Sequence, residues 1–257
     1  MRIVIKIGTS TLTHQTGNLN IRHIEALCKA VSDLKNAGHE IILVTSGAIG
    51  MGVGKLGLVK RPTDMPTKQA AAAVGQCELM YFYDKLFSEY NHTIGQILIT
   101  GQDLQNKQRN LNFRNTVERL LQLSALPIIN ENDTVATEEI EFGDNDTLAA
   151  RVAACAESEL LVLLSDIDGL YDKDPRRHAD AVLIPEVREL TEKITSLGEG
   201  AGSPLGTGGM ATKLRAAKIA TEAGCDMIIA NGKDPELLYA IAEGTSVGTR
   251  FYARRKQ

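Results

Sequence analysis

The chain has 257 residues and a net charge of −4, with 43% apolar, 23% charged and 4% aromatic residues and no tryptophan. Such a length buries a substantial core in one large α/β domain or two small ones, and the scarcity of aromatics points to Val/Ile/Leu strands under Ala-rich helices. Mild acidity without a long basic run argues against nucleic-acid and anionic-membrane partners, so an anionic ligand has to be held by locally placed donors.

The first apolar run, residues 3–7, predicts a strand interrupted by Lys6 and followed at once by Gly8, Thr9 and Ser10. It is too short for a signal peptide, and no later run approaches the roughly 20 apolar residues of a membrane span, so a cytoplasmic protein is expected. A lysine beside a small-residue turn can reach a phosphate; it also fits an exposed strand end. Ile21, Ile24, Leu27, Val31 and Leu34 share one face of a helix, with Asn20 placed to cap it and Gly38 to stop it. A strand over 40–45 completes a βαβ unit. It ends in Thr45-Ser46-Gly47-Ala48-Ile49-Gly50, where small residues let backbone and hydroxyl donors crowd a polar ligand.

Two nucleotide motifs fail here. Gly52-Val53-Gly54-Lys55-Leu56-Gly57 fits G-x-G-x-x-G but begins several residues after the strand, with no following strand to carry a ribose-binding acid. Gly54-Lys55 resembles a Walker A end, yet Ile49 stands in place of its first glycine and Leu56 in place of its Ser/Thr.

Further helices are predicted over 68–90, 115–123, 147–156, 210–223 and 235–242, and strands over 93–100, 126–130, 160–165 and 227–230. Residues 135–142 read as a hairpin above the sheet. The alternation implies one domain, a three-layer αβα sandwich with an open, mostly parallel sheet, whose ligands bind beyond the carboxyl ends of the strands. Cys28, Cys77, Cys155 and Cys225 show no metal-ligand spacing and read as reduced core filler.

Three more loops carry candidate chemistry. Asn130-Glu131-Asn132-Asp133 and Gly143-Asp144-Asn145-Asp146-Thr147 are Asn/Asp clusters suited to an ammonium group, to orienting lysines or to a hydrated metal; the second also reads as a plain helix N-cap. Ser165-Asp166-Ile167-Asp168-Gly169-Leu170-Tyr171 leads into a turn-rich stretch suited to a base pocket. Gly206-Thr207-Gly208-Gly209-Met210-Ala211-Thr212-Lys213 runs into a helix, so free amides and a lysine converge where a phosphate would sit, unless this is a loop before a solvated helix.

Taken in this order, Lys-Ile-Gly-Thr-Ser, Val-Thr-Ser-Gly-Ala-Ile, Ile-Asn-Glu-Asn-Asp, Phe-Gly-Asp-Asn-Asp, Ser-Asp-Ile-Asp-Gly-Leu-Tyr and Gly-Thr-Gly-Gly-Met-Ala-Thr-Lys resemble the glutamate 5-kinases of the amino acid kinase family, from Lys6 to about Gly248. The resemblance implies a carbamate kinase-like fold and ATP-dependent phosphorylation of the glutamate side-chain carboxylate. It implies that Lys6 and Lys213 neutralise the transferring phosphoryl group and that Asp146 holds them. Gly8 and Gly209 would offer amides to phosphates. Ser46, Gly47, Ala48, Asn130, Asp133, Asp144 and Asn145 would bind glutamate, Asp133 taking its α-ammonium group. Thr9, Ser165, Asp166, Tyr171 and the run Thr207, Gly208, Gly209, Met210, Ala211, Thr212, Lys213 would join Lys6 and Gly8 around ATP, which brings Mg²⁺. The N-terminal part would serve glutamate and residues 160–257 mainly ATP.

The same resemblance implies inhibition by L-proline, a homo-oligomer and transient contact with glutamyl phosphate reductase. Many members carry a C-terminal PUA domain, which this sequence is expected to lack, with consequences for assembly and regulation rather than for catalysis. A sibling kinase for another small acid and a catalytically silent amino-acid sensor are the alternatives; a sensor has no use for Lys6, Asp146 and Lys213 together.

Overall fold

All six apolar runs form strands in a computed structural model that describes residues 1–14, 18–136, 145–198 and 209–254. In chain order the elements are β1 (Arg2–Ile7), α1 (Thr9–Leu12), α2 (Ile21–Asn36), β2 (Glu40–Val44), α3 (Ala48–Lys55), α4 (Met65–Ser88), β3 (Ile94–Ile99), α5 (Gly101–Gln105), α6 (Lys107–Gln122) and β4 (Leu126–Glu131). They continue with α7 (Asn145–Cys155), β5 (Leu160–Ser165), β6 (Glu186–Val187), α8 (Glu192–Ser196), α9 (Met210–Glu222), β7 (Asp226–Asn231), α10 (Leu237–Ala242) and β8 (Thr249–Phe251). The expected hairpin lies outside the described residues except for Val135 and Ala136, as do the site candidates Asp144, Thr207 and Gly208.

The strands make one sheet in the order β3-β4-β2-β1-β5-β7-β8-β6. Neighbours run parallel except β7 against β8. Alternate residues of the central strands feed two cores, which is why the strands read as continuous apolar runs. Val4, Ile42 and Val44 face Phe113 and Val117 of α6, the alanines of α7 and Leu214 of α9. Ile3, Ile5, Ile41 and Leu43 face α2, α4 and α10 through Ile24, Leu27, Leu79, Tyr83, Phe87, Leu238 and Ile241. The three-layer expectation holds.

Local chemistry sets the helix ends. Asn20 accepts from the His23 amide at 3.3 Å, and Gly38 closes α2 at φ 91°, a conformation that favours glycine. Ile21, read as part of the apolar face, is 57% exposed, since the first residue of α2 overhangs the core. α4 begins earlier than its apolar periodicity suggests because Asp64 accepts from the Thr67 amide at 2.9 Å and Pro66 fits the first turn. Likewise α6 starts at Lys107, where Asn106 accepts from the amides of Gln108 and Arg109. Of the cysteines, all free, Cys28 and Cys225 are core residues, Cys155 is half-buried and Cys77 is exposed. The last departs from the core role expected of it, because it sits on the outer face of α4.

One consequence positions the site. Lys6, Val44, Asn130, Ser165 and Asn231 end, or nearly end, β1, β2, β4, β5 and β7, which are neighbours in the sheet, so their loops open along a single edge.

Candidate active site

At the centre of that edge one carboxylate serves two ammonium groups. Asp146, in the first turn of α7, lies with Oδ1 2.7 Å from Lys6 Nζ and Oδ2 3.0 Å from Lys213 Nζ. Lys6 reaches in from β1 as an ion pair outside good hydrogen-bond alignment, whereas Lys213 donates a hydrogen bond from the first turn of α9. Close packing of α7 on α9 is possible because the facing residues are small: Ala149, Ala150 and Ala153 against Ala216, Ala217 and Ala220, all buried. Thr212 adds its hydroxyl 3.1 Å from Asp146 Oδ2 and 2.8 Å from the Gly209 carbonyl.

Burial works to raise the Asp146 pKa, but the charges of Lys6 and Lys213 outweigh it and hold the carboxyl well below the usual range. The carboxylate side chain is 2% exposed, and those of Lys213 and Lys6 are 5% and 12% exposed. Together the three groups carry one net positive charge in a largely dry place. Such a set is poor value as a stabilising device and suits an incoming anion.

Beside it, a chain of amides joins the ends of β2 and β4. Asn145 Nδ2 lies within hydrogen-bond distance of Thr45 O (2.7 Å), Ser46 Oγ (3.0 Å) and Asn130 Oδ1 (3.0 Å). Asn130 Oδ1 also accepts from the Glu131 amide at 2.9 Å, and Asn130 Nδ2 donates to Gln76 Oε1 at 2.8 Å. As Ser46 Oγ accepts from Asn145, its own proton is left to donate elsewhere. Beneath it, the Thr45 hydroxyl meets the fully buried Tyr83 hydroxyl at 2.9 Å. Gly47 stands at φ 96°, and this left-handed residue turns the chain from β2 into α3, whose first residue is Ala48. The G-x-G-x-x-G match dissolves here: Gly52 lies inside α3, where a Cβ would fall 1.7 Å from the Ala71 carbonyl of α4, so its hydrogen serves helix contact.

Asp133 stands apart from that chain of amides, half-buried in the turn after β4. Burial pushes its carboxyl up to about 6, against the pull of Arg61. A carboxylate strained in this way is stabilised by any cation that docks on it.

On the other side of Lys6 the loops after β5 and β7 meet. Gly232 donates to the Ser165 carbonyl at 2.7 Å, and a Cβ on Gly232 would come within 2.7 Å of Thr11. Ser165 Oγ lies 3.2 Å from Asp166 Oδ1. Asp168 accepts from Asn231 at 2.6 Å and from the Tyr171 hydroxyl at 3.0 Å, which keeps its pKa below the ordinary carboxylate value and rigidifies the rim. Among the described residues no side chain caps α9, leaving the amides of its first turn and its dipole directed at the loop edge. The Gly8 amide donates to Leu164 O at 3.3 Å. Thr9 opens the single turn α1, exposed beside Gly47.

Residues 1–231 match the model of the amino acid kinase family. The chain belongs to the amino acid kinase family. Among similar proteins, a Clostridium acetobutylicum protein named glutamate 5-kinase is 54% identical over 99% of this chain and 96% of its own length. A Clostridium tetani protein of the same name is 55% identical over 98% of this chain and 94% of its own. The fold of Giardia lamblia carbamate kinase, solved with AMP-PNP, superposes with a TM-score of 0.68 at 15% identity, covering 98% of each chain.

For an amino acid kinase, the division of the edge is informative. Lys6, Asp146, Thr212 and Lys213 meet at its centre, Ser46, Asn130 and Asn145 on one side, and Ser165, Asp166 and Tyr171 on the other. Gln76 and the Asn231–Gly232 end of β7 are absent from the sequence motifs. The one signal for Gln76 is a buried glutamine closing the Ala/Val/Gly run Ala70–Gly75 of α4. Among the described residues no helix is long and apolar enough to cross a membrane.

Proposed function

We propose that this amino acid kinase transfers the terminal phosphoryl group of ATP to the γ-carboxylate of L-glutamate, giving γ-glutamyl phosphate and ADP, the first step of proline biosynthesis. The pair of lysines on one buried carboxylate carries the reading. Relatives 54 and 55% identical, both named glutamate 5-kinase, support the choice of acceptor.

The chemistry asks for little beyond charge and alignment. A glutamate side chain with an ordinary pKa of about 4.3 is already anionic at neutral pH, so its oxygen attacks phosphorus without a general base. The bond to the bridging oxygen of ADP breaks, and ADP leaves with the electron pair. Lys6 and Lys213 offset charge on the phosphoryl oxygens in flight, and Asp146 fixes both amines, so they need no reorganisation as charge develops. Ser46 donates to a glutamate oxygen, Asn130 and Asn145 orient it, and Asp133 takes the α-ammonium group. Ser165, Asp166, Tyr171 and the amides at Gly209, Met210 and Ala211 hold the nucleotide.

Both oxygens of Asp146 are committed to lysines, and the described residues hold no cluster of three metal-binding side chains. The donors that are present suit phosphate, so Mg²⁺ would arrive with ATP and supply further neutralisation of its oxygens when bound. The reading extends to a single domain over residues 1–257, acceptor side N-terminal and nucleotide side from about residue 160. It also extends to a cytoplasmic homo-oligomer inhibited by L-proline and in transient contact with glutamyl phosphate reductase. ADP release measured with glutamate, aspartate, acetylglutamate, carbamate and UMP tests the assignment; turnover favouring any acceptor but glutamate overturns it.

A further inference from the structure

We infer that Gln76 is a further acceptor-site residue, whose side-chain N–H group donates to a carboxylate oxygen of the bound amino acid; this rests on the glutamate reading above.

The direction of the amide chain forces the assignment. Asn145 must present nitrogen to the Thr45 carbonyl at 2.7 Å, and Asn130 must present oxygen to the Glu131 amide at 2.9 Å. Both are backbone anchors of fixed polarity, so neither amide can be turned round without losing a bond. Asn130 Nδ2 therefore points at Gln76, which must answer with Oε1, at 2.8 Å. That leaves Gln76 Nε2 as a buried donor with no acceptor among the described residues, on a residue only 8% exposed.

An unpaired buried amide is costly, and α4 goes out of its way to place this one. Gly75, its neighbour, touches α3 so closely that a Cβ would lie 1.8 Å from Ala48 O and 2.4 Å from the Gly52 nitrogen. This contact seats Gln76 against the turn that presents Ser46 and at the end of β4. The neighbours already assigned to the acceptor, Ser46, Asn130 and Asn145, belong to the same hydrogen-bonded group. A substrate oxygen entering beside Ser46 satisfies the orphan donor, and an acceptor without that oxygen leaves it unsatisfied, which converts a folding cost into selectivity.

Gln76→Glu tests this in steady-state kinetics. One carboxylate oxygen still accepts from Asn130, so a merely structural role survives, while the other puts an anion where a donor stood. The expected result is a KM for glutamate raised at least tenfold with the KM for ATP within twofold. The ratio of variant to wild-type glutamate KM should narrow as pH falls, because a protonated carboxyl regains a donor. Gln76→Met, should the first variant fold poorly, is expected to raise the glutamate KM at least fivefold with the same indifference to ATP. Unchanged glutamate KM in a folded variant, or equal loss for both substrates, overturns the inference. Wild-type protein inactive on glutamate instead sinks the functional reading and this one with it, so the two failures are distinct.

Discussion

Lys6 and Lys213, one near the start of the chain and one near its end, flank opposite oxygens of the same buried carboxylate, at 2.7 and 3.0 Å. Folding brings them together through β1 and α9, and Asp146 prevents their mutual repulsion from driving them apart. Only the net positive charge of the set is left for a ligand.

Lys213→Ala removes one cation from the transferring phosphoryl group. Loss of a comparable preorganised donor costs about 2 to 4 kcal/mol in the barrier, so kcat is expected to fall by a factor on the order of 10² to 10³. ADP release in a coupled assay measures it, with circular dichroism confirming the fold. Near-normal turnover would contradict the assignment of Lys213.

Asp146→Asn leaves two largely buried ammonium groups without their counterion. Breaking a buried pair in this way costs about 3 to 5 kcal/mol, so a Tm lower by several degrees is expected together with lost activity. The pH dependence has a definite sign. Because the folded pKa of Asp146 is depressed, its stabilisation is present above the unfolded value near 3.8 and is lost as pH falls from there towards the folded value. Wild-type Tm should drop more steeply than that of the variant below about pH 4, in melts recorded across that window.

Asp133 titrates in the opposite sense. Its carboxyl is raised to about 6, so the folded chain binds a proton there that the unfolded chain releases, and this site favours the folded state more as pH falls from 6 towards 4. Binding of an α-ammonium group needs the ionised form. The KM for glutamate should therefore rise as pH drops below about 6, approaching tenfold per pH unit, with the KM for ATP far less affected. In Asp133→Asn the glutamate KM should be high and nearly flat over the same range.

Gly75→Ala tests the contact that carries α4 to the acceptor loop. The added methyl would lie 1.8 Å from Ala48 O, a backbone atom that cannot swing away. Overpacking of this kind costs about 1 to 3 kcal/mol, so Tm should fall by roughly 2 to 12 °C and the glutamate KM should rise. An unchanged melt would mean that α3 and α4 separate freely.

The sheet was legible because β1, β2, β4, β5 and β7 are buried on both faces, and that condition writes an apolar run into the sequence. Lys6 was legible for the same reason, as a charge set inside such a run rather than at its start. The short strands β6 and β8 were not, since two or three residues carry no period, and α3 was hidden because its glycines read as a loop while actually serving contact with α4. The bond from the Gly8 amide to Leu164 O was not legible either, since it joins the turn after β1 to β5, far apart in sequence. Gln76 shows the limit most clearly: its importance lies in the polarity of a hydrogen-bond chain that runs through Asn130 and Asn145, and no local pattern encodes that.

Trapping with hydroxylamine reads the proposed product itself. With ATP, Mg²⁺ and glutamate, the account predicts γ-glutamyl hydroxamate accumulating in step with ADP, and neither forming when glutamate is omitted. ADP released without hydroxamate, or at the same rate without glutamate, would contradict it.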